Sequence, residues 1–234
     1  MSRSTKSISL AGPVGPQIPD GFCFPETGIM PGHKAPQFEE DCLHNGKIEK
    51  FSLQDLTFNG GGEESTAKWA LILFYPVDFD YIAPTELGKV QEYLNDLEVL
   101  NCVPVAVSPS SLFVKKAFVK TPVGEGGAEG VSFRLVEDKG RKIADLYDIK
   151  NTDRAITILD DEGIVQVRMV CDLPIGLRIK EAVRLVRACK ASKDQNVATG
   201  AGWQPDMEVQ ERIPFTIEQL MFPRLVNIPR EHKD

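Results

Sequence analysis

The chain has 234 residues, with 27 Lys+Arg against 34 Asp+Glu, a formal net charge of −7, 42% hydrophobic and 26% charged residues. At ~150 residues per domain this is one large domain, or one domain with substantial tails, of a composition that excludes global disorder. The acidic balance argues against nucleic acid or an anionic membrane as partner. The longest apolar runs, about six residues as in Ala70–Tyr75, fall far short of the ~20 that span a bilayer.

In chain order, residues 1–32 are rich in Gly and Pro ("GPVGPQIPDG") and read as an extended N-terminal arm. Arg3 and Lys6 without an acid in residues 1–19 are compatible with an organelle transit segment, but the preferred reading is a disordered tail of a cytoplasmic protein. A compact domain is expected from about residue 33 to 195, followed by a C-terminal extension, 196–234. "KIEKFSLQDL" predicts a short strand running into a helical turn, and Gly60–Gly62 with polar neighbours predicts a flexible loop. Lys68–Tyr75, "KWALILFY", is a continuous apolar run stopped by Pro76, the pattern of a strand buried on both faces.

Leu87, Val90, Leu94 and Leu97 recur at spacings of three and four and predict one helix, with Pro84 in its first turn. Cys102–Ser108 predicts the next buried strand, and "SSLFVKKAFVK" a helix with Ser110 as N-cap. "RAITILDDEGIVQVRMV" predicts a hairpin turning at Asp160–Gly163. "IKEAVRLVRACKA" predicts an amphipathic helix with Ile179, Val183 and Val186 on one side. Residues 193–234 lose clear periodicity. The order strand–helix–strand–helix–hairpin–helix calls for parallel crossovers first and an antiparallel hairpin last, which suits a thioredoxin-like α/β fold with a central mixed sheet and flanking helices.

"LFYPVDFDYIAPTEL", Leu73–Leu87, resembles the active-site loop of typical two-cysteine peroxiredoxins, F-Y-P-x-D-F-T-F-x-C-P-T-E. Phe74, Tyr75, Pro76, Asp78, Phe79, Pro84, Thr85 and Glu86 match. The resemblance continues through "LNCVPVAVSPSSLF", "KTPVGEGG", "RAITILDDEGIV", "DLPIG" with "EAVRLVRA", and "GAGWQP", in order over roughly residues 34–206. It implies a thioredoxin-like fold of peroxiredoxin type, assembly as homodimers or rings of dimers, and peroxide reduction without a cofactor.

The departures carry the functional reading. The peroxidatic cysteine of the family falls on Ala83, its active-site threonine on Asp80, its resolving cysteine on Thr199 and the next proline on Gly200, while the active-site proline and arginine are retained as Pro76 and Arg154. Peroxide reduction needs a thiolate, made at a helix N-terminus beside an arginine where positive potential lowers the thiol pKa. A methyl group at Ala83 supplies no nucleophile, so no sulfenic acid forms there, and Thr199 could not resolve one. Removing a thiolate leaves an arginine without its counter-charge, so an Asp80–Arg154 or Glu86–Arg154 ion pair is expected as a remnant of the pocket. The competing expectation is that Asp80 points to solvent. The further departures at Asp80, Thr199 and Gly200, in separated parts of the chain, favour a natural change over an engineered Ala83.

The five cysteines are Cys23, Cys42, Cys102, Cys171 and Cys189, with no C-x-x-C pair, so neither a zinc ribbon nor a dithiol motif is present. Cys102, Cys171 and Cys189 read as inert residues of predicted elements, whereas Cys23 and Cys42 lie outside the strong elements, where exposure and reactivity are open. Cys42 with His44 is a poor metal signal, His33 and His232 have no partners at ligand spacing, and no metal site is expected. The extension "ERIPFTIEQLMFPRLVNIPREHKD" holds Phe215, Ile217, Leu220, Met221, Phe222, Leu225, Val226 and Ile228. So many apolar residues call for packing, on the domain, on a sister subunit or on another protein as an extended peptide. The sequence thus points to a peroxiredoxin-like protein that has lost thiol peroxidase activity and serves as a structural, interaction or regulatory subunit. The alternative is a thiol-dependent peroxidase whose catalytic cysteine is substituted or relocated.

Overall fold

The computed structural model describes residues 29–57 and 67–211. The expected glycine-rich loop at 60–62, most of the N-terminal arm with Cys23, and the apolar stretch 213–228 lie outside the described residues. Nine strands are present among the described residues: β1 Glu39–His44, β2 Lys47–Ser52, β3 Trp69–Phe74, β4 Cys102–Ser108, β5 Arg134–Glu137, β6 Asp153–Leu159, β7 Val165–Asp172, and the short pair β8 Val197–Ala198 and β9 Gln210–Glu211. The helices are α1 Leu53–Thr57, α2 Ala83–Glu92, α3 Leu94–Val99, α4 Leu112–Phe118, α5 Lys142–Leu146 and α6 Ile179–Gln195.

Seven strands form one mixed sheet in the order β2-β1-β5-β4-β3-β6-β7. β3, β4 and β5 are parallel, while β6 runs antiparallel to β3 and β7 antiparallel to β6. The apolar run 69–74 becomes central β3, and all six of its residues are buried. Side chains alternate across the pleat, so Leu71 and Leu73 enter one core layer while Ala70, Ile72 and Phe74 enter the other. Leu87, Val90, Val183 and Val186 of α2 and α6 close the first layer; Leu53 of α1, and Ile143 and Ala144 of α5, close the second. Among the described residues no helix is long and apolar enough to cross a membrane.

Most expected elements form, with informative differences. The predicted single helix through Leu97 is two helices, α2 and α3, separated at Tyr93, whose N–H donates to both Lys89 O at 3.3 Å and Val90 O at 3.1 Å. The three-and-four spacing survives the break because Leu87, Val90 and Leu97 all remain buried. Ser110 is not the cap of α4. Ser111 is, its Oγ accepting from the Val114 N–H at 3.4 Å, while the Ser110 hydroxyl instead accepts from the Asp78 N–H at 3.0 Å. β1 and β5 give no clear apolar alternation: "EEDCLH" carries three acids, and β5 is four residues long. Both exist through pairing, β1 joining β2 on one side and β5 on the other. Cys42 therefore lies in a strand at 0% exposure, which corrects its placement outside the strong elements.

Two glycines are required by their surroundings. Gly163 takes φ +73° in the β6–β7 turn, where its N–H donates to Asp160 O at 3.0 Å. At Gly127 a Cβ would lie 2.0 Å from the Thr121 carbonyl oxygen, so only glycine fits in this turn beneath α4.

Candidate functional site

The site is built where β3 ends and α2 begins. Pro76 stops β3, and the chain crosses to α2 through Phe79, which takes φ +65°. The Phe79 ring packs against Phe118 of α4, with centroids 4.8 Å apart and the planes tilted by 58°. The following turn brings Asp80 back over the first residues of α2. Ile82, at the helix N-cap, offers no capping side chain. Asp80 does that work from two residues upstream: its Oδ1 accepts from the Ile82 N–H at 2.9 Å and from the Ala83 N–H.

Arg154, near the start of β6 and 2% exposed, faces this helix end. Its Nη2 donates to Asp80 Oδ2, its Nη1 donates to Glu86 Oε2 at 2.8 Å, and its Nε donates to the Leu173 carbonyl at 2.9 Å. Glu86 Oε1 accepts from the Leu177 N–H at 2.7 Å. Both expected ion pairs thus form, not one or the other, and Asp80 does not point away to solvent. Glu86 is 2% exposed, and burial pushes its carboxyl above the usual carboxylate range against the opposing pull of the Leu177 N–H and Arg154. Ala83 lies at the first position of α2 with 0% exposure, and Pro76 is half-buried.

The arrangement holds one guanidinium, two carboxylates and the Ile82 and Ala83 N–H groups of a helix end, tied to one another and to the Leu173 carbonyl and Leu177 N–H. Chemically it can fix charge and backbone geometry. It offers no thiol, because the residue at the helix start carries a methyl group.

A second buried cluster lies beneath the same loop, and the sequence reading missed it. Tyr75 Oη donates to Asp78 Oδ1 at 2.5 Å and Ser108 Oγ donates to the same oxygen at 3.2 Å. Lys115 of α4, 0% exposed, donates to Ser108 Oγ and, at 3.3 Å, to Tyr75 Oη. Its Nζ is 3.7 Å from Asp78 Oδ1. Burial draws the Lys115 amine down from 10.5 to about 8, opposed by Asp78, and burial pushes the Tyr75 phenol well above its ordinary value. Tyr75 and Asp78 belong to the recognised loop, but nothing in "LFVKKAF" distinguishes a buried lysine from an exposed neighbour.

Thr199 is not part of this cluster. With Arg184, Cys189, Ser192 and Gly200 it lines a depression of about 260 Å³ beside α6. Nearby, Trp203 is buried, and its carbonyl accepts from Arg184 Nη1 at 3.0 Å. Burial disfavours the thiolate at three of the four described cysteines. Burial pushes Cys42 up to about 11 and Cys102 up to about 12, and raises Cys189 as well. His44, considered with Cys42, instead bonds Glu49 through Nδ1 at 2.8 Å.

A mixed sheet of this order, with a helix N-terminus facing a buried arginine, defines a thioredoxin-like α/β protein of peroxiredoxin type. The chain belongs to the AhpC/TSA family, whose model matches residues 31–168. It is similar to peroxiredoxin-2 of Cricetulus griseus, 31% identical over 179 residues, covering 74% of this chain and 86% of that protein. It is equally similar, 31% over 177 residues, to the human mitochondrial thioredoxin-dependent peroxide reductase, covering 74% of this chain and 66% of that one. Its fold matches the reduced 2-Cys peroxiredoxin of Plasmodium vivax with a TM-score of 0.71 at 24% identity, over 78% of this chain and 92% of the other.

Proposed function

We propose that this peroxiredoxin-family chain has lost thiol peroxidase activity and acts in the cytoplasm as a structural, interaction or regulatory subunit. The observation that carries this reading is Asp80. A thiolate at the start of α2 would need two things, the helix N–H groups and Arg154. The Asp80 carboxylate takes both, as an internal anion in place of a missing one. Ala83 cannot attack an oxygen–oxygen bond, and Thr199 cannot form a disulfide. What the chain retains is a folded scaffold with its pocket charges satisfied. In this reading it assembles as a homodimer or ring of dimers, and the arm 1–32 and the extension 196–234 serve assembly or a protein partner.

The test is hydrogen peroxide consumption with a thiol reductant. The parent is expected to be silent, and turnover at the level of its active relatives would overturn the proposal. Ala83→Cys alone is expected to stay near the parent, because Asp80 would face the new thiolate and hold its pKa up. Ala83→Cys with Asp80→Thr is expected to gain turnover. If Ala83→Cys alone is fully active, Asp80 is not an obstacle. Truncation after Gln210 tests the extension: it should abolish a partner complex while leaving the folded core, and a complex that survives removes the extension from that role.

A further inference from the structure

The Arg154 cluster stands at the C-terminal end of β3. At the opposite end of the same strand is a recess of about 470 Å³, within the range of small-molecule pockets. Lys68 just before β3, the first residues of β4 and β5, α3 and the β1–β2 turn surround it. Its lining is mixed: Leu94, Val103, Pro104 and Phe133 contribute apolar surface beside the polar His44, Asn45, Asn101 and Ser132. Its rim is basic in a chain of net charge −7: Lys68 and Arg134 line it, against the single acid Glu98.

The two cations are available. Arg134 is held from behind, its guanidinium 5.7 Å from the Phe51 ring centroid and its Nε 3.5 Å from Glu49 Oε1. Its two terminal nitrogens have no partner among the described residues, nor does the Lys68 ammonium. The walls are cross-tied. Asn45 donates its N–H to the Ser132 carbonyl at 2.9 Å, Ser132 donates its own N–H to Gln91 Oε1 at 3.0 Å, and Asn101 Nδ2 donates to the Ala67 carbonyl at 3.2 Å. A pocket whose walls are already bonded loses little order when a ligand enters.

We propose that this recess binds a small carboxylic acid with an apolar chain, its carboxylate on Arg134 and Lys68 and its chain against Leu94, Val103 and Phe133. The two terminal nitrogens that Arg134 keeps beside its Glu49 pair match a carboxylate in shape as well as charge, and the apolar side chains reward a chain that a purely polar anion lacks. The inference is independent of the reading of Ala83, since none of these residues contacts Asp80, Glu86 or Arg154.

Hexanoate is the probe, with acetate and hexanol as its two halves, titrated into the full-length protein and followed by amide chemical shifts. Hexanoate is expected to saturate with Kd at or below about 1 mM, shifting the amides of Leu94, Val103 and Phe133, and to bind roughly ten-fold or more tightly than either half. Arg134→Gln should weaken it roughly five-fold or more, as should the surface change Lys68→Gln if Arg134→Gln fails to fold, while Lys180→Gln on α6 leaves it unchanged. Absence of saturation by about 10 mM, shifts centred elsewhere, hexanol binding as tightly as hexanoate, or indifference to both rim changes would each overturn the proposal.

Discussion

Two buried charge clusters flank the loop that joins β3 to α2, and they solve the same problem differently. Around Arg154 one guanidinium serves two carboxylates and a backbone carbonyl, and every polar atom of the group has a partner. Around Lys115 a single ammonium meets a single carboxylate at 3.7 Å, through two hydroxyl groups, and Asp78 Oδ2 has no partner. The difference lies in the cations. A guanidinium has a rigid fork of donors and keeps its charge, so it can organise several anions at once. A buried ammonium is a point charge that relieves its desolvation by giving up its proton, which is why Lys115 falls to about 8.

The largest expected effect tests the Arg154 side. Arg154→Met strands two carboxylates, one buried and one 18% exposed, and should destabilise the fold by about 3–5 kcal/mol in urea unfolding. A loss below about 1 kcal/mol would mean that the cluster is electrostatically idle.

The Lys115 side predicts a pH dependence. The folded protein holds this amine at about 8 while the unfolded chain keeps 10.5, so between those values the unfolded chain carries more protons. Stability should therefore rise with pH across that window, by up to about 3 kcal/mol relative to Lys115→Met, with the full cost of the buried charge present below pH 8. Parallel curves for the two proteins would show that the amine titrates normally.

A smaller effect is expected at Asp80. Asp80→Thr removes the pair with Arg154 and weakens the capping of α2, for a loss of about 1–2 kcal/mol and faster amide exchange at Ile82 and Ala83. Unchanged exchange would deny Asp80 its capping role. The smallest is Ser111→Ala, which removes an exposed cap with a long 3.4 Å bond and should cost about 0.5–1 kcal/mol in the same unfolding assay.

Local pattern was enough for β3, β4, the β6–β7 hairpin and α6, because a long apolar run or a three-and-four spacing records burial directly. Resemblance to the family's motifs marked Asp80, Ala83, Glu86 and Arg154 as positions of one pocket, although 74 positions separate Asp80 from Arg154, and left a solvent-facing Asp80 open. β1 was not legible, because its six residues include three acids and it exists only by pairing with β2 and β5. The break at Tyr93 left no mark, because both halves of the helix keep the same buried stripe.

The central strands β3 and β4, the β6–β7 hairpin, α6 and the absence of a thiol at position 83 were determined by the sequence alone, since covalent chemistry and hydrophobic period are written residue by residue. Only the tertiary structure decided that Asp80 turns onto the helix and Arg154 together, that Cys42 is sealed in a strand, and that Lys115, not its neighbour Lys116, is buried. The reason is that these depend on where a side chain ends, and that is set by the elements packed around it.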